Sequence, residues 1–434
     1  MFVSNSIGII ADDLTGANDT ALQFHLRGCN TQIILDYNSL PESKTHTQAW
    51  AASTESRNCD PETAKEKVRT ATKNFIDNFS IDCFYKKIDS TLRGNIAVET
   101  LAMLEVLGWD AAIILPAFPN EGRITIGGYH LLKGIPIERT ELARDPHSPI
   151  YESHIPTILK RQLEEEEQDL VTLLELKTVM KGAGPILVEL NKLISQGKKL
   201  IVVDAVSTTD IEQVILAIEK CTYDILPCGS AGAAQALGNV WLPEMKYQHI
   251  AKVIPELPKL IVSGSSTELT ASQIKKLADD DNFENTYFIE LKLDNILKQD
   301  YEEVAERAAR NLGKDNIVVI HSSNLIENPE ELQNALFQHE LTKHKFTALI
   351  GDYLAAITKK IIEQREVILM TIGGETSYKC CKAIDSQNIQ LIDAVAPAIP
   401  LCIDHKAQWI VTKSGNLGSS NTLVEVLKYF EQHK

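Results

Sequence analysis

The sequence lacks a long hydrophobic run. No segment approaches the roughly 18 uninterrupted apolar residues that a membrane-spanning helix needs. The chain also does not open with the basic region and apolar stretch of a secretory signal. We therefore expect no membrane partner and a cytoplasmic location.

Positive charge is also scarce. The chain has 43 Lys and Arg against 59 Asp and Glu, which gives a formal net charge of -16 at pH 7. A surface of that sign repels phosphate backbones, so we expect no nucleic-acid partner. An anionic small molecule can still bind where lysines and arginines gather locally.

The eight cysteines include no C-x-x-C pair, and Cys380 and Cys381 are adjacent. This usage is typical of buried thiols in a reducing compartment and not of disulfides or a zinc site. A Walker A loop and a GxGxxG fingerprint are missing too. The second absence disfavours a dinucleotide-dependent dehydrogenase.

The chain does contain a repeated alternation of apolar runs and helical patterns over 434 residues, 44% of them hydrophobic. The strand-like runs are 7–11, 32–35, 83–88, 111–115, 200–203, 260–262, 317–320, 367–370 and 409–411. This alternation predicts α/β architecture, with mostly parallel sheets flanked by helices. Prolines interrupt the pattern near residue 250, so we expect two domains, 1–240 and 260–434, and a linker at 241–259.

Two adjacent aspartates, Asp12 and Asp13, end the first predicted strand, and a turn at Thr15 and Gly16 leads into a predicted helix. Ligands of α/β sheets bind beyond the carboxyl ends of strands. Because neighbouring carboxylates repel each other, we expect a metal, a basic side chain or a bound proton to compensate them. Helix capping is the plainer alternative, but one carboxylate suffices for a cap. A dehalogenase-type phosphatase would need one residue between the two acids.

A denser polar cluster follows the strand predicted at 83–88. It contains Lys87, Asp89, Ser90, Thr91 and Arg93. Arginine and lysine suit a carboxylate or phosphate, and an aspartate can accept a proton from a hydroxyl. A capped helix start is the alternative, but it does not require so many ligand-capable groups. Clusters at 53–57, which ends in Arg57, and at 116–123 occupy equivalent positions.

Three loops of small residues follow predicted strands in the second half, within 260–268, 369–377 and 408–418. Glycines let the backbone approach a ligand closely, and helix N-termini present free N–H groups to phosphate. Each loop alone is typical of an ordinary connection, but the three together favour anion binding. Lys413 would neutralise phosphate charge, and Glu375 would lie near a metal or a ribose.

Taken together, these motifs resemble those of the four-carbon acid sugar kinases. The matching blocks are 11–19, 86–95, 116–119, 373–376 and 413–418, in the family's order along essentially the whole chain. The resemblance implies an N-terminal domain that binds a sugar acid and a C-terminal domain that binds ATP, with the active site in the cleft between them. The family phosphorylates the terminal hydroxyl of D-threonate, D-erythronate or 3-oxo-tetronate. Residues 17–20 are most similar to the D-threonate kinases.

The resemblance also implies the ligand contacts. The substrate contacts are Asp13, Arg57, Lys87, Asp89, Ser90 and Thr91, to which the local charge pattern adds Arg93. The ATP contacts are Ser263, Gly264, Ser265, Ser266, Gly373, Gly374, Glu375, Thr376 and Gly415, to which the loop chemistry adds Lys413. Leu417 stands where the family often has Phe, a difference that removes no charge.

Phosphoryl transfer depends on positioning and charge neutralisation more than on covalent chemistry. We expect Arg57 and Lys87 to hold the substrate carboxylate, and Asp89, Asp12 or Asp13 to deprotonate the hydroxyl. A remaining acid would help to hold Mg²⁺ with the ATP phosphates, although the metal ligands are not assigned. A Mg²⁺-dependent phosphohydrolase and a non-catalytic sugar-acid sensor are the competing hypotheses. A homodimer is the default expectation for the oligomeric state.

Overall fold

The computed structural model describes residues 6–41, 47–140, 143, 149–242, 253–313, 316–326 and 329–433. The chain divides into two compact units, Met1–Gln248 and His249–Lys434. Residues 243–252 of the expected linker lie outside the described residues. Within the described ranges, no helix combines the length and apolarity that crossing a membrane requires.

The first unit alternates strands and helices along most of its length. Its strands are β1 (Ile7–Ala11), β2 (Thr31–Ile34), β3 (Ala49–Ser53), β4 (Cys83–Lys87), β5 (Ala111–Leu115), β6 (Arg123–Ile126), β7 (Tyr129–Leu132), β8 (Ile135–Pro136), β9 (Val171–Leu174), β10 (Leu200–Val203) and β11 (Ile225–Gly229). Its helices are α1 (Leu14–His25), α2 (Pro61–Asn78), α3 (Ile96–Leu107), α4 (Ile155–Arg161), α5 (Leu176–Val179), α6 (Ala183–Ser195), α7 (Thr208–Ile218) and α8 (Ala231–Trp241).

The main sheet of this unit is parallel, in the order β2-β3-β1-β4-β11-β5-β10-β9. The chain leaves β1 to build β2 and β3 on one side and then returns to place β4 on the other side. Such a reversal opens a crevice at the carboxyl ends of the strands, where α/β proteins bind their ligands. Strands β6, β7 and β8 form a separate antiparallel sheet.

The second unit has the same kind of alternation. Its strands are β12 (Lys259–Ser263), β13 (Thr286–Glu290), β14 (Ile317–His321), β15 (Ile368–Ile372), β16 (Asn388–Ala396), β17 (Ile399–Asp404) and β18 (Trp409–Lys413). Its helices are α9 (Glu268–Ala278), α10 (Leu293–Lys298), α11 (Glu302–Asn311), α12 (Pro329–Gln338), α13 (Lys343–Ile362), α14 (Gly374–Ala383) and α15 (Thr422–Gln432).

The sheet of the second unit runs in the order β13-β14-β12-β15-β18-β17-β16. Its first five strands are parallel, and β12 lies at the reversal of strand order, between β14 and β15. Alternate residues of β12 belong to two apolar cores, with Ile261 in one and Leu260 and Val262 in the other. Burial of both faces is what a parallel sheet covered by helices requires. The predicted α/β class with mostly parallel sheets is confirmed.

The antiparallel strands β16 and β17 were not among the predicted strands. Every second residue of β16 is buried, which is typical of a strand with one covered face. Its sequence alternates less cleanly, because Asp393 occupies a buried position and Ile392 a less buried one. A period of two is visible only at Ile389, Leu391 and Val395, and a search for uninterrupted apolar runs passes over it.

Candidate functional site

The basic side chain that compensates the aspartate pair is Arg57. Its Nε and Nη2 donate to the two carboxylate oxygens of Asp12 at 2.8 and 3.0 Å, and its Nη1 donates to Oδ2 of Asp13 at 2.6 Å. Burial by itself raises the pKa of Asp12, but the charge and hydrogen bonds of Arg57 outweigh it and hold that pKa below its usual value. Asp12 is therefore ionised, and its contacts with Arg57 and those of Asp13 fix both carboxylates in position.

Asp13 also performs the capping role that was the plainer alternative. Its Oδ1 accepts from the backbone N–H of Gly16 at 2.7 Å, and its Oδ2 accepts from the hydroxyl of Thr15 at 2.8 Å. One side chain thus caps the start of α1 and pairs with Arg57. The capping and the ion-pair interpretations are both correct for this residue.

Asp89, after β4, is held even more tightly. The side chain of Arg93 donates to its two oxygens at 2.7 and 3.2 Å, and the hydroxyl of Thr91 donates to Oδ2. Nη2 of Arg57 lies 4.0 Å from the other oxygen, Oδ1. Burial acts to raise the pKa of Asp89, but the two arginines and the hydrogen bonds bring it well below the usual range. A carboxylate with so low a pKa accepts protons poorly.

Lys87 brings a further cation to the same edge of the sheet. Its ammonium donates to the carbonyl of Ile88 at 2.8 Å. A Cβ on Gly16 would lie 2.9 Å from this ammonium and 2.6 Å from Oδ1 of Asp13. The missing side chain of Gly16 therefore makes the space in which Lys87 approaches the start of α1.

These groups form a continuous set of alternating charge, which we call the charge row. Its members are Arg93, Asp89, Arg57 and the pair Asp12 and Asp13, which ion pairs join in that order, and Lys87, whose charge acts on Asp12. A cavity of about 360 Å³ adjoins the arginine end and is lined by Arg57, Arg93, Arg161, Asn95 and Gln162, among others. The lining also contains Glu152, which forms an ion pair with Arg161 at 3.4 Å, and the side chain of Arg57 is already engaged by Asp12 and Asp13.

The neighbouring Lys86 points away from the charge row, as successive residues of a strand do. Its fully buried ammonium forms an ion pair with Oε2 of Glu99 on α3 at 2.7 Å. This pair belongs to the packing between sheet and helix. The Lys-Lys dipeptide therefore supplies one site cation and one structural cation.

Two supporting residues were not among the predicted site residues. His130, on β7, lies within hydrogen-bonding distance of the carbonyl of Ser90 at 2.8 Å and so supports the loop that carries Asp89. Burial lowers the pKa of His130 to about 4, so its ring is neutral at pH 7. Glu55 accepts from the backbone N–H of Leu14 at 2.8 Å and thus fixes the start of α1. Neither role is visible in the sequence, because both partners are distant along the chain.

The three small-residue loops of the second unit follow β12, β15 and β18, which are adjacent strands in its sheet. The hydroxyls of Thr267 and Thr270 both donate to the carbonyl of Gly415 at 3.0 Å. The backbone N–H of Gly373 donates to the carbonyl of Lys413 at 2.9 Å. A Cβ on Gly264 would clash with the hydroxyl of Thr376, and one on Gly415 would clash with Ser265. The loops are packed too closely for any residue but glycine at these two positions.

Lys413 is the cation of this loop cluster. Its side chain is fully buried, and its ammonium donates to the carbonyl of Ser414 at 2.8 Å. Burial lowers its pKa to about 8. No carboxylate of the described part of the chain forms an ion pair with it. The buried hydroxyls of Ser263 and Ser323, at the ends of β12 and β14, also find no hydrogen-bond partner among the described residues.

The other predicted residues of this cluster have less specific surroundings. Glu375 forms an ion pair with Lys379 at 3.1 Å, one helical turn along α14, and Ser266 is exposed. The first turn of α14, which starts at Gly374, has no side-chain cap, so its N–H groups can receive an anion. A buried cation, unpaired hydroxyls and uncapped N–H groups together fit a polyphosphate. Within the described ranges, no group of three or more His, Cys, Asp and Glu side chains could hold a metal ion.

Comparison with known proteins shows which families and relatives this chain resembles. Residues 7–237 match a family model described as a sugar-binding N-terminal domain, and residues 260–423 match one described as a nucleotide-binding C-terminal domain. A D-erythronate kinase from Heliobacterium modesticaldum is 29% identical over 440 residues, which cover 98% of this chain and 97% of the relative. A D-threonate kinase from Salmonella typhimurium is 28% identical, with 98% of each chain covered.

A solved structure is similar in fold over nearly the whole length. A Salmonella typhimurium LT2 protein, described as a putative tRNA synthase, superposes with a TM-score of 0.79, covering 97% of this chain and 98% of that one. The two sequences are 20% identical, so this likeness concerns the fold alone.

Proposed function

The chain belongs to the four-carbon acid sugar kinase family, and from that membership we propose that it transfers the γ-phosphoryl group of ATP to the terminal hydroxyl of a four-carbon sugar acid. D-threonate is the first candidate substrate, and D-erythronate and 3-oxo-tetronate are the alternatives. The first unit would bind the acid and the second would bind ATP.

The observation that carries this proposal is the environment of Lys413. A buried lysine without a carboxylate partner is costly, and proteins keep such groups where a ligand supplies the opposite charge. The unpaired hydroxyls of Ser263 and Ser323 and the uncapped start of α14 stand at the ends of neighbouring strands of the same sheet. We propose that Lys413 and these donors hold the phosphates of ATP.

ATP supplies the phosphoryl group and an ADP leaving group. We propose that Mg²⁺ arrives with the nucleotide and is coordinated largely by phosphate oxygens and water, as is common for this ion. That arrangement is compatible with the absence of a dedicated cluster of metal ligands among the described residues. The role of the chain is then to orient the phosphates and neutralise their charge.

The charge row suggests how the acid lies on the first unit. Arg57 and Arg93, beside the cavity, would hold the carboxylate, while Asp12 and Asp13 would accept hydrogen bonds from the substrate hydroxyls. Lys87, at the other end of the row, would lie next to the reacting hydroxyl. Asp89 would anchor Arg93, because its low pKa suits an ion-pair partner better than a base.

The test is ADP formation with Mg-ATP and a panel of D-threonate, L-threonate, D-erythronate, L-erythronate and 3-oxo-tetronates, with the phosphorylated product identified by mass. We expect strong turnover of one acid. Lys413→Met should raise the KM for ATP at least about tenfold, the loss expected for one charge-assisted contact to phosphate. Lys428→Met, an exposed lysine of the same unit, is the matched control and should behave as the wild type.

Two outcomes would contradict the proposal. Phosphate release from a phosphorylated sugar acid without ATP would identify a phosphohydrolase. Binding of both ligands without turnover of any acid would identify a sensor.

A further inference from the structure

Asp19 extends the charge row along α1. It lies three residues after Gly16, so the two positions share one face of the helix, one turn apart. The ammonium of Lys87 lies 2.9 Å from where a Gly16 side chain would begin, and its charge acts on Asp19 in turn. Asp19 is only partly buried, so a small substrate can reach it. The row therefore ends in a carboxylate beyond Lys87.

Asp19 differs from the other acids of the row in how its carboxylate is occupied. Both oxygens of Asp12, Asp13 and Asp89 accept hydrogen bonds, and each carboxylate is paired with an arginine. Within the described part of the chain, the Asp19 side chain has one hydrogen-bond donor, the amide of Gln23, at 3.4 Å. That contact is long and its donor is uncharged, so the carboxylate can accept a further hydrogen bond.

The pKa of Asp19 is consistent with a carboxylate that has few hydrogen-bond partners. Burial raises its pKa to about 6, and the charge of Lys87 is the strongest effect that opposes the rise. Arg123 also lowers the pKa, and Glu121 and Tyr85 are the other titratable groups that interact with Asp19. A carboxylate with a pKa near 6 is ionised at pH 7 and still basic enough to take a proton from a hydroxyl.

We propose that Asp19 is the general base of the kinase reaction, an inference that rests on the proposed function. Its carboxylate takes the proton of the terminal hydroxyl as that oxygen forms a bond to the γ-phosphorus of ATP. The bond from this phosphorus to the bridging oxygen breaks, and ADP leaves with the electron pair. Asp19 then returns the proton to solvent. The charge of Lys87 favours the ionised form of this base.

The decisive variant is Asp19→Asn, which keeps the shape of the side chain and removes its basicity. With the acid identified in the panel, kcat should fall about 10²- to 10⁴-fold, the usual contribution of a general base. The KM values for both substrates should stay within about threefold, because the contact matters in the transition state. The wild type should lose kcat/KM below pH about 6, and this acidic limb should be absent from Asp19→Asn.

Two further variants separate this role from a structural one. Gln23→Met removes the amide that lowers the pKa of Asp19, so it should move the acidic limb to higher pH and leave kcat at pH 9 within about threefold. Asp89→Asn should raise the KM for the acid, because Arg93 loses its anchor, and should keep the acidic limb of the wild type. If Asp19→Asn does not fold, the shift in Gln23→Met still decides the question.

The outcomes distinguish this inference from the proposed function. A wild type that turns over while Asp19→Asn stays within about threefold of its kcat would overturn the role of Asp19 and leave the kinase intact. An acidic limb lost in Asp89→Asn instead would assign the base to Asp89. A wild type inactive with every acid would overturn the kinase and the role of Asp19 together.

Discussion

Replacing Lys413 with methionine should make the protein more stable while it weakens ATP binding. Burial lowers the pKa of Lys413 from 10.5 to about 8. Because each pKa unit corresponds to about 1.4 kcal/mol, keeping this lysine charged at pH 7 costs the folded state roughly 3 kcal/mol. The substitution removes one of the donors to the carbonyl of Ser414, which also accepts from the N–H of Leu417. Since that loss costs about 1 kcal/mol, the net gain should be roughly 2 kcal/mol.

The gain in stability from Lys413→Met should decrease as the pH rises from about 7 to about 10. Below pH about 8, Lys413 is charged in both the folded and the unfolded chain, so the full cost is present in the wild type. Between about 8 and the unfolded value of 10.5, the folded protein releases the proton first and the cost declines. The stability advantage of Lys413→Met should therefore be complete at pH 7 and small at pH 10.

Urea titrations at the two pH values measure the free energy of unfolding, and calorimetry at pH 7 measures the affinity for Mg-ATP. Lys428→Met is the control for both and should change neither. A less stable Lys413→Met, or equal stability gains at pH 7 and pH 10, would refute the reasoning. Greater stability combined with weaker nucleotide binding is the pattern of a residue kept for function at the expense of stability.

The remaining predictions concern the first unit. Arg57→Met should destabilise the protein by about 3–5 kcal/mol in urea, because it leaves two adjacent buried carboxylates without their cation; a loss below about 1 kcal/mol would show that another group compensates them. Glu99→Gln should cost a similar amount by leaving the buried ammonium of Lys86 unpaired, and adding Lys86→Met should restore most of it. Gly16→Ala, a change that favours an ordinary helix by about 1 kcal/mol, should instead lower kcat, because the new Cβ would lie 2.6 Å from Oδ1 of Asp13 and 2.9 Å from the Lys87 ammonium. Unchanged kcat in that variant would mean that both groups can move away without cost.

Local patterns predicted much of the fold. The runs 7–11, 111–115 and 200–203 coincide with β1, β5 and β10 residue for residue, because an uninterrupted apolar run is what a strand buried on both faces needs. Sequence motifs also predicted the family, which the comparisons confirm. The antiparallel strand β16 was missed because its alternating burial differs from that of the parallel strands. Strand β17 was missed although most of its residues are buried. The ligand roles of the predicted site residues remain predictions.

By itself the sequence determined that acids, cations and small-residue loops stand at the carboxyl ends of strands, because strand period and turn chemistry are local properties of the chain. Only the tertiary structure decided which groups meet. It paired the aspartates with Arg57, which lies on another loop. In the tertiary structure the side chain of Lys86 points into the core and that of Lys87 points toward the site. Lys413 is buried without an ion-pair partner among the described residues. Partner choice and pKa depend on strand order and burial, and these are set by contacts between residues far apart in sequence.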